Sequence, residues 1–114
     1  MSGIRFEQIE DGGFAEIEMS VDGIAESVIL HRDGDAVRGW LNICPHAGRR
    51  LEVSPGQFIK TGDGLLMCAV HGATFELIDG LCVGGPCRGQ TLAKVALVVR
   101  DGVVMQAGDT AVAD

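Results

Sequence analysis

Tyrosine is absent from this chain of 114 residues, tryptophan occurs once and aromatic residues make up 4%. Any polar site it builds therefore works without a phenolic hydroxyl. An excess of basic charge is also missing. Nine Lys and Arg stand against 16 Asp and Glu, a formal net charge of −7, so long-range repulsion opposes nucleic acid or an anionic membrane as partner. A partner with a basic docking face fits better, and acidity by itself keeps a protein soluble. No apolar segment approaches membrane-spanning length. The first residues, Met1 to Glu7, lack the basic region and apolar run of a secretory signal, so the expected location is cytoplasmic. Low-complexity repeats and helical periodicity are missing too.

What remains is a folded, strand-rich chain. Hydrophobic residues are 46% and charged residues 22%, which suits a globule, and the length allows one domain, residues 1–114, with a modest core. Six Asp-Gly pairs, at Asp11, Asp22, Asp33, Asp63, Asp79 and Asp101, favour tight hairpin turns. Between them the runs Ile4 to Ile9, Phe14 to Ser20, Glu26 to Arg32, Ala36 to Ile43, Leu65 to Cys68, Thr74 to Ile78, Ala93 to Arg100 and Val103 to Ala107 have strand character. Ala15-Glu16-Ile17-Glu18-Met19 alternates apolar with acidic, as a half-buried strand does. The continuous apolar run Val95 to Val99 predicts a central strand covered on both faces. The fold class is all-β, an antiparallel sandwich or barrel.

The chemistry is concentrated between Asn42 and Phe75. Cys44-Pro45-His46 and Cys68-Ala69-Val70-His71 place two thiols and two imidazoles in two short clusters, with 21 residues between His46 and Cys68. These are soft or borderline metal ligands, and two Cys with two His also suit tetrahedral zinc. Zinc fingers, however, usually put both cysteines in one knuckle and both histidines in another. Here each knuckle is mixed.

That mixture resembles the Rieske family, in which two Cys hold one iron of a 2Fe-2S cluster and two His hold the other. The resemblance extends through Cys44-Pro45-His46-Ala47-Gly48 and Cys68-Ala69-Val70-His71-Gly72-Ala73-Thr74-Phe75. It also includes Gly84-Gly85-Pro86, which is similar to the family's proline loop over the cluster, and so spans Asn42 to Arg88. The resemblance implies Cys44, His46, Cys68 and His71 as ligands of one 2Fe-2S cluster. It further implies a β-sandwich base built from both chain ends, with a small cluster-binding subdomain inserted at about residues 43–88. By the same resemblance, each ligand histidine leaves its second ring nitrogen exposed, where it can exchange a proton or carry an electron to a partner.

Four positions depart from the high-potential members of that family. Arg49, Val70, Ala73 and Phe75 stand where those proteins have two bridging cysteines and two hydroxyl donors. With the donors absent, the reduced cluster is less stabilised, and the potential is expected at the lower end of the family, ~ −150 mV. Such a protein resembles the ferredoxins that feed Rieske-type oxygenases. Its partners would be a flavin- or ferredoxin-type reductase and a terminal oxygenase or other oxidoreductase. It would act as a monomeric electron carrier and not an enzyme. A zinc-stabilised interaction module and a redox-sensing iron–sulfur protein are the alternative readings of the same four ligands.

Several residues fall outside this scheme. Cys82 and Cys87 bracket the proline loop; a cytosolic location favours two reduced thiols, with Cys87 packed near the cluster, over a disulfide. Trp40 reads as a core residue, with a cluster shield or partner contact as the other possibility. His31 reads as an ordinary surface histidine. Arg49-Arg50 suggests a small positive patch or a solvated loop, and Ser54 to Thr61 a protruding loop.

Overall fold

The computed structural model describes residues 4–45, 48, 50–54, 56–70 and 72–107. Apart from a 3-10 turn at Phe6–Gln8, its named elements are strands. They are β1 (Ile4–Arg5), β2 (Phe14–Val21), β3 (Ile24–Asp33), β4 (Ala36–Leu41), β5 (Ile59–Lys60), β6 (Leu66–Met67), β7 (Thr74–Phe75), β8 (Cys82–Gly84), β9 (Lys94–Val95), β10 (Leu97–Arg100) and β11 (Val103–Gln106). They form three sheets with orders β1-β11-β10, β2-β3-β4-β9 and β5-β6-β7-β8. The chain divides into two compact units, one of them the segment Asn42–Lys94 and the other formed by the chain on either side of it.

In the unit built from both chain ends, two sheets share one core. Met19, Val28, Leu30 and Val95 come from one sheet and Val104 from the other, with Ile9 closing the cluster. The alternation in β2 holds: Ala15, Ile17, Met19 and Val21 face this core, and Glu16 accepts a 2.6 Å bond from the Ser27 hydroxyl. Two Asp-Gly pairs make two-residue hairpins, Asp22-Gly23 between β2 and β3 and Asp101-Gly102 between β10 and β11. All four of these residues have φ between 55° and 81°, the left-handed geometry whose twist matches the flanking strands. At Asp33 the turn is displaced by one residue, because Asp33 pairs with Ala36 and Gly34-Asp35 form the loop.

The strand covered on both faces is β3, not the run at 95–99. Val28 and Leu30 face the core, while Ile29 and His31 on the opposite face are also buried. The apolar run instead changes sheets: Lys94–Val95 joins β4, Ala96 is exposed, and Leu97–Arg100 joins β11 at a sheet edge. A sandwich corner needs apolar residues on both sides of the switch, because each half serves a different sheet. His31 is a second correction. It is 4% exposed, and its ring lies 5.0 Å from that of Phe14, because residue 31 falls on the second covered face of β3. Trp40, paired across from Ile29, is 1% exposed, which agrees with the core reading.

Arg32 ties the 3-10 turn to the β3–β4 hairpin. Its guanidinium donates to the carbonyls of Ile9 and Gly34, both at 2.9 Å, and lies 4.3 Å from the centre of the Phe6 ring. The predicted strand from Ile4 to Ile9 therefore breaks after Arg5, where Phe6 turns to cover this cation. Substituting Arg32→Ala is expected to lower unfolding free energy by about 2 kcal/mol, from two charge-assisted bonds and the ring contact. A chemical-denaturation midpoint equal to that of the parent would contradict this.

Candidate metal centre

The segment Asn42–Lys94 carries all four cysteines, each buried and none in a disulfide. Two of its loops are built alike. The Cys44 carbonyl accepts from Gly48 N–H at 2.8 Å, and the Cys68 carbonyl from Gly72 N–H at 2.9 Å. Each loop is thus a five-residue turn opened by a cysteine and closed by a glycine, with φ of 66° at Gly48 and 75° at Gly72. Only glycine enters that region without strain. His46 and His71 lie within these turns in sequence but outside the described residues, as does Arg49. Among the described residues no group of three or more His, Cys, Asp or Glu side chains forms a metal-holding cluster.

The two turns are braced against each other through residues that motif reading passed over. Asn42 is 1% exposed, and its Oδ1 accepts the Leu51 N–H at 2.9 Å. Leu51 in turn accepts the Ala69 N–H at 3.0 Å, so the chain beyond the first turn is bonded to the interior of the second. The Asn42 amide donates to Glu52 at 3.2 Å. Glu52, its side chain only 8% exposed, also pairs with Arg50 and receives the Gly56 N–H. Burial pushes the Glu52 carboxyl upward, but the Arg50 bond and charge, the Gly56 amide and the Asn42 amide outweigh it and hold the group below its ordinary value. Arg50 is thus charge-paired, not half of a free positive patch.

The segment from Ser54 to Thr61 is less of a loop than expected. Ser54 bridges to Gln57, and Ile59–Lys60 pairs with Leu66–Met67 to begin a four-stranded sheet. That sheet continues through Thr74–Phe75 to Cys82–Gly84. Its last strand leads into Gly84-Gly85-Pro86, which closes on the second turn: a Cβ at Gly85, where φ is 90°, would stand 2.8 Å from Ala73 Cα. A side chain there would push the proline loop off the second turn.

Behind this loop Cys87 donates to the Cys82 sulfur at 2.9 Å, and Cys82 to the Gly84 carbonyl at 3.1 Å. Burial first, then the Cys82 and Cys44 sulfurs, push the Cys87 thiol up to about 12. At the departing positions, Ala73 and Phe75 are fully buried and bring no hydroxyl, and Val70 is half-buried. The donor chemistry fits an iron–sulfur group: two buried thiols on matched turns, beside a loop whose Gly85 packs directly on Ala73.

These features define a class, a small antiparallel β protein in which an inserted unit offers two cysteine turns and a covering glycine–proline loop. A family model places it further. The Rieske [2Fe-2S] domain matches residues 5–104, and the chain belongs to that family, whose group is a Rieske-type 2Fe-2S cluster. Among solved structures, it is similar to the ferredoxin of carbazole 1,9a-dioxygenase from Nocardioides aromaticivorans IC177, at 23% identity and TM-score 0.70, covering 94% of this chain and 95% of that one. A ferredoxin from Sphingomonas yanoikuyae B1 matches at 17% and TM-score 0.68, covering 93% and 95%. The terminal oxygenase of carbazole 1,9a-dioxygenase from Novosphingobium sp. KA1 matches at 16% and TM-score 0.71, over 94% of this chain and 29% of that one. At these identities the likeness is one of fold. No curated protein matches the sequence. Among the described residues no helix is long and apolar enough to cross a membrane.

Proposed function

We propose that this chain is a single-domain electron carrier, one Rieske domain over residues 1–114 with its cluster-binding subdomain at about 43–88. Cys44 and Cys68 would hold one iron and His46 and His71 the other. The bound cluster supplies a site that accepts and returns one electron. The chain's own residues would bind, orient and shield it: the two turns fix the cysteines, the Asn42–Leu51–Ala69 bonds hold the turns in register, and the proline loop excludes water. No residue is assigned a catalytic role.

The observation that carries this reading is the pair of matching cysteine turns, 44–48 and 68–72, cross-bonded through Leu51 and Ala69. The electron would come from a flavin- or ferredoxin-type reductase and pass to a terminal oxygenase or other oxidoreductase, with the carrier acting as a cytoplasmic monomer. Supporting the oxygenase partner is the fold likeness to a ferredoxin seen in complex with the oxygenase of carbazole 1,9a-dioxygenase, at 22% identity and TM-score 0.69.

The test is an EPR spectrum of anaerobically purified, dithionite-reduced protein with iron and zinc analysis on the same sample. A rhombic signal of low average g and about two irons per chain is the expected result. One zinc, no iron and no signal would replace the electron carrier with a zinc-stabilised module. The absent hydroxyl donors at Ala73 and Phe75 also predict a midpoint near ~ −150 mV. A potential above that of the standard hydrogen electrode would defeat that argument.

A further inference from the structure

We propose that Cys82 and Cys87 form a reversible dithiol–disulfide pair beside the proline loop, closed by exchange with a small-molecule disulfide. The two sulfurs stand 2.9 Å apart, so a movement of about 1 Å brings them to bonding distance. The backbone that carries them is already held together. Cys82 N–H donates to the Gln90 carbonyl at 2.8 Å, Gly89 N–H to the Cys82 carbonyl at 3.0 Å, and Gln90 N–H to the Cys87 carbonyl at 2.9 Å. Neither thiol belongs to the proposed ligand set.

Both sulfurs are buried, but the chain that covers them is at the surface. Gly85 and Pro86 between the cysteines are exposed, as are Arg88, Gly89 and Gln90 after them. A local opening of this glycine-rich loop, far short of unfolding the unit, would admit a small disulfide. In the open form one sulfur gives its proton to solvent and attacks a sulfur of the reagent RSSR as the thiolate, giving a mixed disulfide, and the RS⁻ released takes up a proton and departs as RSH. The second thiol displaces the remaining RS group, which leaves as a second RSH. Two S–H bonds and one S–S bond are exchanged for one intramolecular S–S bond and two RSH, so atoms and electrons balance.

The experiment equilibrates cluster-loaded, full-length protein in glutathione buffers of rising oxidised share, then quenches with acid, denatures, alkylates and weighs the chain. The expected result is a fall from four alkylatable thiols to two in one step, with Cys82 and Cys87 linked in the peptide map and reversal by dithiothreitol. Cluster absorbance is retained. In Cys87→Ser the two-thiol step disappears. Four free thiols in the most oxidising buffer, or a linkage that includes Cys44 or Cys68, would overturn the pair. A protein that carried zinc and not iron would still report on the bond through its thiol count.

Discussion

Iron content should fall from about two atoms per chain to nearly none when Cys44 or Cys68 is replaced by alanine, with loss of the reduced EPR signal. Each thiol would be one of only two on its iron, so losing either leaves that iron half-ligated by the protein. The loss should be confined to the cluster. Met19, Val28, Leu30, Val95 and Val104 form a core in the other unit, free of either cysteine, so the strand signal in circular dichroism should persist. Cys82→Ala is the control: a buried thiol of the same segment, but outside the proposed ligand set, so its iron should stay near two per chain. Full iron retention in Cys44→Ala would remove that residue from the ligand set. Equal iron loss in Cys82→Ala would mean that the cluster depends on packing of the segment more than on two specific thiols.

The ligand turns and the hairpins were legible in the sequence for the same reason: their information is local. A cysteine followed four residues later by a glycine encodes a closed turn, and Asp-Gly between alternating strands encodes a reversal with left-handed backbone. What failed depended on distant chain. Whether an apolar run is central or crosses a corner is decided by which sheet each half joins, and Val95 and Val99 carry no mark of that. Burial of His31 follows from coverage of the second face of β3, again invisible in a ten-residue window. Strands β5 and β8 span two and three residues, too few for periodicity to register. Asn42 and Glu52 were missed because an amide and a carboxylate near a turn usually face water; only the fold shows them buried and bonded to the ligand loops.

That buried pair supports the second large expectation, which joins stability to the site. Asn42→Ala should cost on the order of 3 kcal/mol in the unfolding of the cluster-binding segment. The Leu51 N–H loses its acceptor in a place where Leu51 is fully buried, and an unsatisfied buried donor costs about 1–3 kcal/mol. Glu52 loses one donor to a mostly buried charge, and a hydrogen bond of that kind contributes about 1.5–3 kcal/mol. Cluster release in denaturant should accelerate, since the Leu51 carbonyl that holds Ala69 is no longer fixed. The pH dependence carries a sign that a merely smaller core would not. In the parent, Glu52 titrates below its ordinary value of 4.5, so its contribution is present above that pH and lost as pH falls through the folded value. Removing the Asn42 donor raises the folded value toward the ordinary one, so the acid loss from this group becomes smaller and is complete at higher pH. Asn42→Asp separates the two effects: it keeps an acceptor for Leu51 but sets a second carboxylate beside Glu52. Its deficit should therefore be largest near neutrality and shrink on acidification as the pair gains a proton. If both variants track the parent curve at every pH, the Asn42–Glu52 bond does not hold the ligand turns, and the bracing falls to the backbone alone.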